Sequence, residues 1–171
     1  MDFDDLWDSY PLEYNPCKLD NGDPSFPNQC AIRFGIALAD GGINTSSFLG
    51  VHCWHGHGRR HLLRGEEIAA WMKNHPAIFG RVEIKNDVDA DVYSGRRGLM
   101  FCRNFWGPGT QGDHIDLWNR NHMQTGDPNY ISRSAEIWFW EIDSSSQGII
   151  TNKTNIRKKK KKKKVNNGLN K

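Results

Sequence analysis

The 171-residue chain is long enough for one compact domain and leaves little room for two. Its hydrophobic content of 37% and its seven tryptophans supply the apolar side chains that a folded core needs. The charge is divided unevenly: ten of the 23 basic residues lie in 151–171, so that 1–150 carries 13 basic against 20 acidic residues. An acidic body argues against a nucleic-acid-binding domain, and no apolar run approaches the length of a membrane span.

The N-terminal half of the chain predicts helices separated by loops. Residues 3–10 place apolar side chains at helical spacing and predict a short amphipathic helix, whereas 15–29 are rich in Asn, Asp, Gly and Pro and predict a loop. The run that starts at Cys30 is apolar on nearly all sides, which predicts a buried helix. Asn28 is its predicted N-terminal cap, and the glycine pair at 41–42 is its predicted stop.

After a mixed segment at 44–63, the pattern changes from helix to strand. A last helix is predicted at about 65–74, with an apolar stripe of Ile68, Trp71 and Met72. Helices first and strands after them predict an α+β fold, in which the helical part packs on an antiparallel sheet. The predicted strands are 80–85, 97–103, 113–119 and 135–142.

The composition changes near residue 145. We expect a folded domain over 1–145 and a disordered basic tail over 146–171, where Ser, Asn and Lys replace the aromatic residues. The run Lys158 to Lys164 is of a kind that binds anionic polymers or lipids, but its homopolymeric character favours a tail without a role. The N-terminal stretch lacks the basic and apolar regions of a secretory signal, so none is predicted.

Cysteine and histidine are the residues in this chain that suggest chemistry. The four cysteines are too scattered for a disulfide framework, and we expect mostly free thiols. Cys30 is special because the N–H groups and the dipole at a helix start favour a thiolate and can stabilise an oxyanion. Strand alternation places His114, Asp116 and Trp118 on the face opposite Ile115, so that His114 can serve as a base for the thiol. A buried structural cysteine and a structural histidine are the alternative interpretation.

The segment 52–61 is rich in residues that bind metals, which makes a zinc hydrolase the rival hypothesis. The spacing of these residues fits neither the helical nor the paired-cysteine zinc signatures, and we predict no metal and no cofactor. The residues concerned are His52, Cys53, His55, His57 and His61.

Several segments of the chain together resemble one protein family. The Cys-Ala-Ile-Arg start of the buried helix and the His-Ile-Asp-Leu-Trp-Asn strand are the most specific, and the resemblance extends over most of 6–142. The family is the fourth family of type VI secretion amidase effectors, which belongs to the NlpC-type branch of papain-like cysteine hydrolases. The segments are LWDSYP (6–11), NQCAIRFGIAL (28–38), CWHGHGRRHLLRGEEIAAWM (53–72), GLMFCRNFW (98–106) and DHIDLWN (113–119).

The resemblance implies a papain-like peptidoglycan amidase in which Cys30 is the nucleophile and His114 the general base. The implied reaction is hydrolysis of the amide between γ-D-glutamate and meso-diaminopimelate in the stem peptide. The implied partners are the stem peptide, a secretion machinery that injects the protein into a rival's periplasm, and a cognate immunity protein. Trp54, His55 and Trp118 are then expected to bind substrate.

Two aspartates are candidates for the third catalytic residue, of which Asp116 is preferred and Asp127 is the alternative. Asp116 shares a strand face with His114, but neighbours on one face are about 7 Å apart, which requires long side chains or a bridging water. Asp127 could fold back from the following turn. Two residues depart from the family motif. Asp113 is expected to raise the pKa of His114, and Arg120 makes a tight turn after the strand doubtful.

Two other functions remain as alternatives. A module on the same fold could bind cell-wall peptide without cleaving it, and the displaced third residue and Arg120 favour that interpretation. A nucleic-acid binder that relies on the basic tail is the other, and the acidic body argues against it.

Overall fold

The structure, a computed structural model, describes residues 1–55, 60–106 and 112–142. The predicted basic tail at 146–171 lies outside the described residues. Among the residues described, no helix is both long and apolar enough to cross a membrane.

Five α-helices and five strands are present in the described part of the chain. Strand β2 has the predicted bounds, β3 begins one residue later than predicted, and β5 is one residue shorter at each end. The α-helices are α1 (Phe3–Asp8), α2 (Cys30–Asp40), α3 (Gly65–Lys73), α4 (Pro76–Phe79) and α5 (Asn129–Arg133). The strands are β1 (Glu83–Lys85), β2 (Arg97–Arg103), β3 (His114–Asn119), β4 (His122–Met123) and β5 (Glu136–Glu141).

The predicted stop of helix α2 is made by its glycines. Gly42 has a φ of +91°, a left-handed conformation that glycine adopts without strain. Its N–H donates to the carbonyl of Ala39 at 3.2 Å, and the next N–H, from Ile43, reaches back to Leu38 at 2.9 Å. This pair of bonds is the Schellman motif, which satisfies carbonyls at the end of the helix.

The described strands form one antiparallel sheet in the order β1-β5-β2-β3-β4. Strands β5, β2 and β3 lie in its interior, and every residue of β2 from Gly98 to Cys102 is buried. The helices of the first half precede the strands and pack on one face of this sheet, which confirms the predicted α+β class.

Both faces of the sheet are covered. The larger cluster joins α1, α2 and α3 to the face that carries Leu99, Phe101, Ile115 and Leu117. The smaller cluster lies on the other face, where a 3₁₀ turn and α5 cover β2, β3 and β5. Its buried members are Tyr93, Met100, Cys102, Phe105, Trp118, Met123, Ile131, Ile137 and Phe139. The central residues of β2 and β3 are therefore buried whichever way they point.

The structure also corrects the expectation for the turn after β3. Arg120 occupies that turn with a φ of +64°, and the chain returns directly as the short strand β4. The left-handed conformation costs about 1–2 kcal/mol for a residue with a Cβ. The turn forms because Arg120 N–H donates to the carbonyl of Arg96 at 2.7 Å and the Arg120 carbonyl accepts from Gly95 N–H at 2.9 Å.

We expect the stability of the fold to depend on the larger cluster. The Ile68→Ala substitution deletes a fully buried side chain and should lower the free energy of unfolding by about 2–5 kcal/mol. Ile84→Ala is the matched control, because Ile84 lies in β1 with 40% of its surface exposed and should cost less than about 1 kcal/mol. Urea unfolding measures both, and equal losses would contradict this account of the core.

Candidate active site

The first residue of α2 presents a thiol at the edge of a cavity. Cys30 is partly exposed and lines a cavity of about 850 Å³ together with Asn28 and Ala31. The helix cap is Gln29 and not the predicted Asn28, whose Oδ1 accepts the N–H of Cys30 from one residue further out at 3.0 Å. The residue between them, Gln29, turns inward, where its side chain bonds the backbone N–H and carbonyl of Cys17 at 3.2 and 2.9 Å.

His114, the first residue of β3, brings its ring to this thiol. The side chain is buried, and its interaction with the Cys30 thiol contributes to raising the pKa of the imidazole. Tyr130 packs edge-on against the imidazole with ring centroids 5.2 Å apart, and Phe105 stacks on Tyr130 at 4.4 Å. Two aromatic side chains from separate segments therefore fix the plane of the imidazole.

Asp116 contacts His114 directly, at 3.0 Å between Oδ2 and Nε2. No bridging water is required, because Nε2 is the far atom of a long side chain and spans the separation expected for neighbours on one strand face. The Nε2–H group donates to the carboxylate, which leaves Nδ1 as the ring nitrogen for Cys30.

The carboxylate of Asp116 is fully buried and satisfied by other donors as well. Its Oδ2 accepts the N–H of Thr125 at 2.9 Å, the Thr125 hydroxyl at 3.0 Å and the N–H of Gly126 at 2.9 Å. Its Oδ1 accepts the N–H of Leu117 at 2.8 Å. A buried charge is tolerated when it is paired and hydrogen-bonded in this way.

The other candidate for the third residue lies elsewhere. Asp127 is exposed, and its Oδ1 accepts the N–H of Asn129 at the start of α5. Of the two aspartates that the sequence left open, the structure brings Asp116 to the imidazole, and Asp127 serves a helix start.

The environment of His114 changes its protonation. Burial lowers the pKa of the imidazole, but hydrogen bonds to Asp116 and Cys30, together with the charges of these two groups, outweigh burial and raise the pKa to about 9. The sequence predicted that Asp113 would raise the pKa of His114, but the Asp113 carboxylate accepts the N–H of Asn104 at 3.0 Å instead. An imidazole that keeps its proton near neutral pH is suited to stabilise an adjacent thiolate.

The three aromatic residues expected to bind substrate occupy different environments. Trp118 is fully buried on the second face of the sheet, where its Nε1–H donates to the Tyr93 carbonyl at 2.8 Å. The prediction that Trp118 contacts substrate is therefore wrong. Trp54 is 69% exposed, and its ring and that of His55 lie 5.4 and 5.8 Å from the ring of Phe26. Their contact with substrate stays a prediction.

The cavity beside Cys30 contains charges of both signs. Arg64 Nη1 lies 2.9 Å from Glu67 Oε1, and Arg103 Nη2 lies 3.6 Å from Glu66 Oε1. Asp113 completes the charged part of the lining. Such a cavity can bind a ligand that carries carboxylate and ammonium groups together.

Sequence reasoning missed the residues that support Asp116. Thr125 and Gly126 lie in an irregular segment that predicts only a turn, and nothing in that pattern indicates that its N–H groups point at a carboxylate. Gly126 also leaves room for the imidazole of His114, because a Cβ atom built there would lie 2.5 Å from Nε2. The glycine in Thr-Gly-Asp was visible in the sequence, but its role depends on a tertiary contact.

Comparison with known proteins identifies the family. The sequence model of the type VI secretion system amidase effector protein 4 family, Tae4, matches residues 26–140. The chain belongs to this family. The match covers Cys30, His114 and Asp116, and the resemblance seen in the sequence is thereby confirmed. A comparison with curated protein sequences gives no match.

Solved Tae4 structures share the fold of this chain. The Tae4 effector from Enterobacter cloacae is 17% identical with a TM-score of 0.61, and the similarity covers 82% of this chain and 96% of that one. Tae4 from Salmonella Typhimurium, solved in complex with Tai4, is 16% identical with a TM-score of 0.61, covering 82% and 97%. At these identities the similarity establishes the α+β fold, and the amidase effector assignment comes from the family match.

We expect the stability of the protein to report the protonation of His114. The folded-state pKa of about 9 exceeds the ordinary value of 6.5, so the protonated imidazole stabilises the folded state fully below pH 6.5. This contribution should be lost as the pH rises from 6.5 to about 9. Urea unfolding of the wild type and of His114→Gln at pH 6 and pH 9 measures it, since the variant lacks the group. An equal change in both proteins would contradict the raised pKa.

Proposed function

We propose that this chain is a cysteine-dependent amidase that cuts the bond between γ-D-glutamate and meso-diaminopimelate in peptidoglycan. Cys30 is the nucleophile, His114 the general acid and base, and Asp116 the residue that orients the imidazole. The observation that carries the proposal is the line of contacts from Asp116 through His114 to Cys30 at the edge of an open cavity.

The contacts suit a two-step acyl transfer. The Cys30 thiolate attacks the amide carbonyl, and the imidazolium of His114 protonates the leaving amine of the diaminopimelate residue. The neutral imidazole then takes a proton from water, and the resulting hydroxide attacks the thioester. The acyl product leaves as a carboxylic acid, and the thiolate–imidazolium pair is restored. The reaction needs no cofactor.

The start of α2 supplies the electrostatic part of this mechanism. The positive end of the helix dipole faces the thiol and the carbonyl that it attacks, which favours negative charge on both. The side chain of Asn28 lies in the same cavity, where it accepts the N–H of Cys30. Movement of Asn28 on substrate binding would free that N–H for the oxyanion.

The charges of the cavity support a diaminopimelate-containing substrate. Diaminopimelate in a stem peptide presents a carboxylate, and in uncrosslinked peptides an ammonium group, at the end of its side chain. Arg64 and Arg103 provide cationic groups for the carboxylate, and Glu66, Glu67 and Asp113 provide acceptors for the ammonium group. A stem peptide with lysine in place of diaminopimelate lacks that carboxylate and should be cut more slowly.

The setting of the reaction follows from the family. Type VI secretion delivers effectors into other cells, so we propose that the protein acts in the periplasm of a rival, where stem peptides are exposed. The structural neighbours include effectors solved with Tai4, described as an immunity protein. We propose that a cognate immunity protein binds this chain and closes the cavity beside Cys30, which would protect the producing cell.

Features that favoured a non-catalytic module no longer do so. One such feature was a third catalytic residue displaced from its place in the family motif, but Asp116 contacts His114 at 3.0 Å. The turn after β3 was doubtful because of Arg120, and that turn forms. Amidase activity is therefore the function that we put forward.

Mass spectrometry of Gram-negative peptidoglycan tests the reaction. We expect wild-type protein to release fragments cut between glutamate and diaminopimelate, and Cys30→Ala to release none, because the acyl intermediate requires the thiol. Thermal unfolding followed by circular dichroism checks that the variant is folded. Intact muropeptides after incubation with folded wild-type protein would overturn the proposal.

The two aspartates give a matched test of the third residue. Asp116→Asn should lower kcat by about 10²–10⁴-fold, because the amide disfavours the required imidazole tautomer. It should also lower the free energy of unfolding by about 2–4 kcal/mol, since an NH₂ group would face other donors. Asp127→Asn should change neither by much, because Asn caps a helix as well as Asp. The same loss of kcat in both variants would exclude Asp116 from the proposed role.

A further inference from the structure

A second sulfur-containing cluster lies apart from the active site. The Sγ atoms of Cys17 and Cys53 are 2.8 Å apart, and a ring nitrogen of His61 lies within 4.8 Å of both. All three residues are buried. The mechanism uses none of them, and they come from two loops that are far apart in sequence.

The surroundings of the two sulfur atoms are apolar. Ile32 and Ile36 of α2 pack with both cysteines, and Phe26 and Leu63 border the cluster. Two thiols in van der Waals contact have their sulfur atoms well above 3 Å apart, and a tetrahedral zinc ion with Zn–S bonds of about 2.3 Å separates its sulfur ligands by about 3.7 Å. A separation of 2.8 Å is shorter than either, and among the described residues this cluster offers only three metal-ligand side chains.

We infer that Cys17 and Cys53 form a disulfide bond that ties the loop before α2 to the segment before α3. The bond forms by thiol–disulfide exchange with a small-molecule or protein disulfide. One cysteine thiolate attacks that disulfide and releases its first thiol, and the second cysteine thiolate then attacks the mixed disulfide and releases the other. Two electrons pass from the cysteines to the oxidant, and the two thiol protons end on the released thiols.

His61 has a role in this exchange. Burial and the hydrogen bond to Cys53 raise the pKa of the Cys17 thiol to about 11, so the thiolate needed for attack is scarce at neutral pH. The imidazole of His61 is close enough to accept a thiol proton as the loop opens to the oxidant. The N–H of Cys53 also donates to the His61 carbonyl at 2.8 Å, which holds the two residues side by side.

The disulfide would act on the start of the catalytic helix. The backbone of Cys17 is bonded at both its N–H and its carbonyl to the side chain of Gln29, the residue that precedes Cys30. Few other side-chain hydrogen bonds hold the backbone of loop 17–29 in place, and the backbone–backbone hydrogen bonds within the loop join residues close in sequence. Fixing Cys17 to Cys53 therefore fixes Gln29 and the first turn of α2.

Full-length protein in the Cys30→Ala background tests the inference independently of amidase activity, because the exposed thiol is then removed. The protein is equilibrated in buffers of reduced and oxidised glutathione, quenched by alkylation under denaturing conditions, and mapped by peptide mass spectrometry. We expect linked peptides that contain Cys17 and Cys53, and alkylation of Cys102 alone. Cys102, buried under the other face of the sheet, is the matched internal control.

The bond should also stabilise the protein and slow the opening of the loop. We expect the melting temperature of the oxidised form to exceed that of the reduced form by roughly 5–15 °C, and hydrogen exchange over 17–29 to be slower. Both differences should vanish in the Cys30→Ala/Cys53→Ser protein. Complete alkylation of Cys17 and Cys53 in folded protein that has been equilibrated with the most oxidising glutathione buffer would overturn the inference. Retention of one zinc ion per chain in native mass spectrometry would overturn it in favour of a metal site.

Discussion

The buried carboxylate of Asp116 is the constraint on which the site depends. It accepts five hydrogen bonds, one from the imidazole of His114, one from Leu117 in its own strand, and three from Thr125 and Gly126. A charge without these partners would be expelled from the interior at a cost of several kcal/mol. The segment after β4 therefore folds back on β3 in one way only, and that way places the imidazole beside the thiol.

This arrangement links stability to reactivity. The same hydrogen bond that satisfies Asp116 helps to raise the pKa of His114 to about 9 and so keeps a proton on the imidazole beside Cys30. Aromatic packing by Tyr130 and Phe105 excludes water from one side of the imidazole, which strengthens the electrostatic contacts within. Tyr10 extends the network, because its hydroxyl lies 3.3 Å from the Thr125 hydroxyl. Tyr10 follows helix α1, so an N-terminal residue far from the chemistry in sequence supports the segment that holds Asp116.

Local patterns predicted the parts of the fold that obey one period over several residues. Helix α2 and strands β2, β3 and β5 were found because their apolar runs are long, whereas β4, α4 and α5 have two to five residues and carry no periodic signal. The error over Trp118 has a different cause. Alternation along a strand separates two faces, but it does not tell which face is exposed, and here a second cluster covers the face that carries Trp118. The contacts of Asp116 join strand β3 to a later loop, and the approach of Cys17 to Cys53 joins two loops. No local sequence pattern encodes either contact.

Helix α2 has to satisfy two opposing demands. A helix that is buried on nearly all sides gives the core its rigidity, since Ile32, Phe34 and Leu38 are almost wholly excluded from solvent. A nucleophile, however, must remain accessible to a polymer substrate. The conflict is resolved at the helix start, where Cys30 is the first helical residue and lies at the edge of the cavity while the residues after it are packed. At that position the thiol also receives the full effect of the helix dipole, which falls off within the first turn. The position that makes Cys30 reachable is therefore also the one closest to the positive end of the helix dipole.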